Sequence, residues 1–180
     1  MTATVTLDRK SDLDAAARAQ SLALAAAVYP PETVASWPGN HLEWSDVTHC
    51  ARVFDDAGAL VSYAGVLVRE GTRDGRPARI GGIGGVKTHP DHRRRGLAAL
   101  AMGRAVEWFH ERGDVDFGLL VCEPRLLGTY GRMGWREFTG TLRVLQRGTS
   151  ETFTFNRVMT HTVREDAPAA GMIDLAGPPW

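Results

Sequence analysis

Alternating apolar and polar residues at Val5-Thr6-Leu7 predict a first strand, and the alanine-rich stretch over 12–28 predicts a helix. Ser11 or Asp12 would cap that helix, and Pro30-Pro31 would stop it. Residues 30–47 are broken by Pro30, Pro31, Pro38 and Gly39, with Trp37, His41 and Trp44 between them. They read as a short helix and a loop bordering a pocket. Three strand signals follow: His49–Phe54, turning at Asp55-Asp56-Ala57-Gly58; residues 60–68, turning within 71–75; and residues 79–88. Together they predict an antiparallel meander. Leu97, Leu100, Ala101, Ala105, Trp108 and Phe109 form one stripe at helical spacing over 96–112, with His110 and Arg112 near its negative end and Gly113 as the cap. Phe117–Cys122 reads as a buried strand and 124–133 as a helix with proline in its first turn. Residues 135–138 restart a strand, and 142–146 with 152–158 read as a final antiparallel pair around Gly148. This order predicts an α/β fold: one mixed sheet with helices on both faces, in a single domain of residues 1–180.

Composition narrows the function. Twenty-one basic and 21 acidic residues leave a formal net charge of zero, so no general basic face for nucleic acid is expected. Lys10 and Lys87 are the only lysines; the other cations are arginines. Cys50 and Cys122 stand alone, without a C-x-x-C pair, which fits a reducing, cytoplasmic setting and gives no redox or zinc framework. Residues 21–28 resemble a short signal-peptide core, but Asp8, Asp12 and Asp14 oppose a positive leader, and the helix reading is preferred. No apolar run reaches membrane-spanning length, so no membrane partner is expected. His89-Pro-Asp-His92 lacks further ligands at metal-binding spacing, and no metal is expected.

The clearest chemical signal is residues 80–98. A glycine-interrupted apolar strand runs into Arg93-Arg94-Arg95, and a helix opens at Gly96. Backbone N–H groups at such a junction converge beside the positive end of a helix dipole, an arrangement suited to a diphosphate. Gly96 lets the main chain approach closely and Ala98 keeps the first turn slim, while the guanidinium groups add charge.

The pattern Arg93-x-x-Gly96-x-Ala98 after such a strand resembles the acyl-CoA loop of the GCN5-related N-acetyltransferases (GNATs). A second stretch, from Phe117 through Tyr130 to Gly134-Trp135, is similar to that superfamily's strand, helix and Tyr-x-x-x-Gly-aromatic run. The resemblance implies a central, mostly antiparallel sheet in which two parallel strands splay apart around the thioester. It implies acetyl-CoA as co-substrate, held by the main chain at Val86, Lys87 and Thr88 and by Arg93, Arg94, Arg95, Gly96, Leu97 and Ala98. Tyr130 would protonate the departing thiolate, since a phenol with an ordinary pKa of about 10 is a suitable donor. Cys122 has no adjacent histidine to activate it, so direct attack by an amine is expected rather than an acyl-enzyme.

Within the superfamily, residues 42–138 are most similar to aminoglycoside 2'-N-acetyltransferases, with Gly85-Val86, Asp91, Arg93, the run to Tyr130 and the terminal Trp180 in common. In that family the terminal tryptophan and its free carboxylate lie at the substrate site, so residues 159–180 are expected as a tail folded over the acceptor pocket. One position departs: those enzymes carry a glutamate base where this chain has Gly84. Glu123 ranks first as a replacement, ahead of His89, Glu43, Asp46 and the Trp180 carboxylate. Glu43, Trp44, Asp46 and Trp180 are expected to bind the acceptor, a small cationic amine resembling an aminoglycoside. Two rival readings are a longer-chain N-acyltransferase and a CoA-binding sensor without catalysis. A homodimer is compatible with the sequence.

Overall fold

The computed structural model describes residues 3–180. The main elements are β1 (Thr4–Arg9), α1 (Ala15–Val28), α2 (Pro31–Ala35), β2 (His49–Phe54), β3 (Leu60–Arg73), β4 (Arg76–Thr88) and α3 (Leu97–Arg112). After these come β5 (Phe117–Cys122), α4 (Leu127–Gly131), β6 (Arg136–Phe138), β7 (Thr141–Gln146), β8 (Thr149–Thr152), β9 (Arg157–Thr162) and β10 (Met172–Asp174).

All the strands join one curled sheet. β2, β3 and β4 form the predicted meander, and β1 pairs antiparallel with β2. β5 lies parallel to β4 over three residue pairs, Ile80 with Phe117, Gly81 with Gly118 and Gly82 with Leu119. Beyond Gly82 the two strands separate. β9 runs antiparallel to β5, and β6 to β9. At the far end of β3, β10 is inserted between β3 and β7, antiparallel to the first and parallel to the second, and β8 closes that edge. The sheet is therefore mixed and mostly antiparallel, with two parallel pairings.

Hydrophobic periodicity places the helices. The α3 stripe of Leu97, Ala101, Ala105 and Phe109 is buried against Val53, Ala64, Val66 and Ile83 of the meander. Burying a side chain such as Phe109 contributes roughly 1.5–3 kcal/mol. On the opposite face α1 sets Leu24 against Cys50, Leu60 and Tyr63. A third cluster centres on Ile80, Phe117, Leu119, Leu142, Ile173 and Trp180. Among the described residues no helix is long and apolar enough to cross a membrane.

Four expectations are corrected. The cap of α1 is Asp14, whose carboxylate accepts from the Ala17 N–H at 2.8 Å; residues 10–12 form a separate 3-10 turn and Leu13 is extended, which delays the helix. The 124–133 segment is a 3-10 turn at Pro124–Leu126 followed by the short α4. The β3–β4 hairpin continues to a turn at Asp74-Gly75, because β10 offers Thr72 and Arg73 a pairing partner. Residues 152–158 are not one strand: after Phe153 the chain crosses from β7 to the other side of the sheet, where β9 pairs with β5.

Candidate functional site

β4 leads into the loop expected to hold a diphosphate. The His89 N–H bonds the Val61 carbonyl at 2.9 Å, tying the loop's start to β3, and Pro90–His92 form one 3-10 turn. Arg94 (φ 61°) and Gly96 (φ 77°) both adopt the left-handed conformation, turning the chain so that α3 starts at Leu97. Leu97 is buried and anchors the helix, whereas Arg93, Arg94, Arg95 and Gly96 are exposed. Arg93 also donates to the Thr88 carbonyl at 3.4 Å. The first-turn amides of α3 have no intrahelical acceptors, so they and the arginines face the same solvent-open corner.

Upstream, β4 carries a bulge. Tyr63 stands opposite Lys87 and Gly65 opposite Gly84, so Gly85 and Val86 together face Ala64 alone. Gly85 has φ 59° and is exposed. The bulge lies just past the last β4–β5 pair, so it re-aims main-chain groups into the gap between the strands. Tyr130, on α4, is buried among Leu120, Cys122 and α3 residues. Burial raises its phenol pKa, with a smaller contribution from Cys122, so the hydroxyl is protonated at neutral pH. Burial likewise pushes the Cys122 thiol up to about 11, which leaves almost no thiolate at neutral pH.

Tyr29, at the end of α1, reaches the same region, and the sequence reading missed it. Its hydroxyl points at the Val86 carbonyl from 3.5 Å, and its pKa is raised by burial and then by the charge of Glu123. The only hint was an aromatic residue immediately before Pro30-Pro31. Glu123 forms a two-point ion pair with Arg125, 2.6 Å at the shorter contact, and this hydrogen bond holds its carboxyl below the usual range.

The C-terminal tail enters the gap from the other side. Trp180 is 5% exposed, and its indole N–H donates to the Leu119 carbonyl at 2.9 Å. Its ring takes the space a side chain at Gly82 would need, and its main-chain carbonyl carbon lies 2.7 Å from where a Cβ at Gly84 would stand. Half-buried Arg69 secures this tail by donating to the Pro178 carbonyl at 2.6 Å and to Ser45, with its guanidinium 5.3 Å from the centre of the Trp180 ring. Desolvation lowers its pKa.

The two acids expected to bind the acceptor each have another partner. Glu43 accepts from the Arg147 N–H at 2.8 Å, while its main chain is held at both N–H and C=O by Gln146. Asp46 faces Lys10 at 3.4 Å on the surface. Trp44 spends its indole N–H on the Gly39 carbonyl at 3.0 Å and packs among Trp37, Phe153 and Phe155. The structure thus gathers Val86, Tyr130, Tyr29, Glu123 and the arginine loop on one side of the splay, with Trp180 on the other, and leaves Glu43 and Asp46 engaged elsewhere.

A family model described as an acetyltransferase (GNAT) domain matches residues 6–138. The chain belongs to the GNAT family. It is accordingly an acyltransferase, and its splayed sheet is the GNAT acyl-CoA N-acyltransferase fold. Among curated proteins none matches it. Among solved structures, an acyl-CoA N-acyltransferase from Pseudomonas aeruginosa is 22% identical, with TM-score 0.60 over 89% of this chain and 100% of that one. The GNAT family N-acetyltransferase YhbS from Escherichia coli, in complex with CoA, is 16% identical, with TM-score 0.62 over 96% of this chain and 89% of its own. The ribosomal-protein-S18-alanine N-acetyltransferase of the same organism is 15% identical, with TM-score 0.55 over 89% and 94%. These likenesses concern the fold.

Proposed function

We propose that this GNAT protein moves an acetyl group from acetyl-CoA to a primary amine of a small acceptor by direct attack. The observation that carries the reading is the β4–β5 separation after Gly82, with the Gly85-Val86 bulge at its edge and the arginine loop and α3 N-terminus at its end. The exposed Arg93–Arg95 segment and the α3 amides fit a diphosphate. Main-chain groups of Val86, Lys87 and Thr88 fit the amides of a pantetheine arm and polarise the thioester carbonyl.

Tyr130 supplies the proton to the leaving thiolate. No acceptor among the described residues takes its hydroxyl proton, so the group is available for that transfer. The inert Cys122 thiol supports attack by the acceptor nitrogen itself. Glu123 accepts the amine proton when Arg125 swings away; held in its pair it is a weak base. Trp180 and the aromatic wall of Trp37, Trp44 and Phe155 would flank an acceptor that presents a ring or apolar face beside its amine.

The test is thiol release from acetyl-CoA across a panel of amines, with aminoglycosides, short polyamines and aromatic amines as separate classes. Acceleration by one class supports transfer and names the acceptor. Tight CoA binding without turnover for any amine would instead favour a CoA-binding sensor, the reading kept open by the occupied Glu123 and the tail against Gly84.

A further inference from the structure

Lys87 carries a side chain that the proposed transfer does not use. Its main chain pairs with Tyr63, and its Nζ folds back towards the bulge. It stands 4.1 Å from the centre of the Tyr63 ring and 3.8 Å from where a Cβ at Gly85 would be. Gly85 is solvent-exposed whereas β4 from Ile80 to Gly84 is buried, so the amine sits beside the one opening in this part of the strand.

Lys87 has no carboxylate partner and no side-chain hydrogen bond among the described residues; the Tyr63 ring is its only close polar support. The groups facing it are Cys50 from β2, Tyr63 from β3 and Lys10 from the turn after β1, and α1 adds only Ala17, Leu24 and Val28 to that cluster. Desolvation, uncompensated by an acid, brings its pKa down to about 8. An appreciable fraction of the side chain is therefore an uncharged, nucleophilic amine near neutral pH.

We propose that Lys87 is a self-acetylation site, taking an acetyl group from acetyl-CoA bound along the Gly85-Val86 bulge. The inference rests on the donor placement described under the proposed function and extends it to a second acceptor within the chain. The Nζ lone pair forms an N–C bond to the acetyl carbon and the C–S bond breaks. CoA leaves as a thiolate, and the proton lost by nitrogen restores the thiol. Acetylation removes the charge and leaves a neutral amide against the Tyr63 ring, which relieves the burial of an unpaired cation.

Having two lysines makes the test clean. The full protein is incubated with acetyl-CoA and no added amine, then mapped by peptide mass spectrometry, with CoA affinity measured by calorimetry on the same sample. Lys10 is exposed at the surface beside Asp46 and serves as the internal control for uncatalysed acetylation. The expected result is one added acetyl group on Lys87, at least roughly tenfold faster than on Lys10. Its rate should rise as the pH passes through about 8, and excess CoA should suppress it. In K87R that mass shift should vanish. Equal labelling of both lysines, labelling insensitive to CoA, or no label on a protein that binds CoA would overturn the proposal and leave the donor site standing. Failure to bind CoA would remove the donor placement first, and self-acetylation with it.

Discussion

The indole N–H of Trp180 donates to the carbonyl of Leu119 at 2.9 Å, and Leu119 is the last residue of β5 that remains paired with β4. The tail thus closes the narrow end of the splay, and it does so with a hydrogen bond between residues 61 positions apart. Trp180→Phe keeps most of the buried ring but removes the donor from a buried carbonyl. It should destabilise the protein by about 1–3 kcal/mol. Chemical denaturation of the two proteins checks this, and an unchanged midpoint would mean the bond contributes nothing.

Gly84 and the same tail exclude a side chain from each other's space. With its Cβ 2.7 Å from a Trp180 main-chain atom, Gly84→Ala must push the tail aside. A cost of about 1–3 kcal/mol is expected, as for other overpacked sites. The glutamate that aminoglycoside acetyltransferases place at this position is larger still, so this chain cannot carry it with the tail docked. Thermal unfolding should show a lower midpoint for the variant, and the tail should become more open to hydrogen exchange. A variant as stable as the parent would mean the tail is readily displaced.

How much of this was legible in the sequence differs by region. The β4–α3 junction and the β5–α4 run that carries Tyr130 could be read because each is a contiguous strand-to-helix stretch whose spacing is local. The tail's path could not. β10 is three residues long with one buried side chain, Ile173, so it has no periodicity to detect. The surroundings of Glu43 and Arg69 were obscured for a related reason: the partners of their polar groups are distant in sequence. Glu43 meets Arg147 and Arg69 meets Pro178, contacts over 104 and 109 positions. A carboxylate that looks free in a sequence can be committed to a turn across the sheet. Glu123 shows the opposite limitation, since Arg125 is two residues away but pairs with it only because the 3-10 turn at Pro124–Leu126 brings the side chains together.

Tyr130→Phe removes a proton donor while preserving the buried ring. Loss of a general acid typically costs about 10²–10⁴-fold. Turnover should therefore fall by roughly a hundredfold or more while CoA affinity stays within about twofold of the parent. Steady-state kinetics combined with calorimetry separates the two effects, and an unimpaired rate would eliminate Tyr130 as the acid.

Arg125→Ala tests Glu123 as the base. The Arg125 hydrogen bond lowers the Glu123 pKa, so removing it returns that pKa towards the ordinary carboxylate value. A carboxylate acting as the base must be deprotonated, so with Glu123 in that role the loss of activity on the acid side should move to higher pH in the variant. At neutral pH the freed carboxylate is the stronger base, and the rate should hold or rise. An acid limb that does not move in a full pH–rate profile would exclude Glu123.

The central claim is that the junction of β4 and α3 grips a diphosphate, and comparing CoA with pantetheine by calorimetry tests it most directly. Two charge-assisted hydrogen bonds to phosphate would contribute about 3–6 kcal/mol. CoA should therefore bind at least roughly a hundredfold more tightly than pantetheine, which lacks the diphosphate. Equal affinity for the two, or no heat with CoA, would contradict the account.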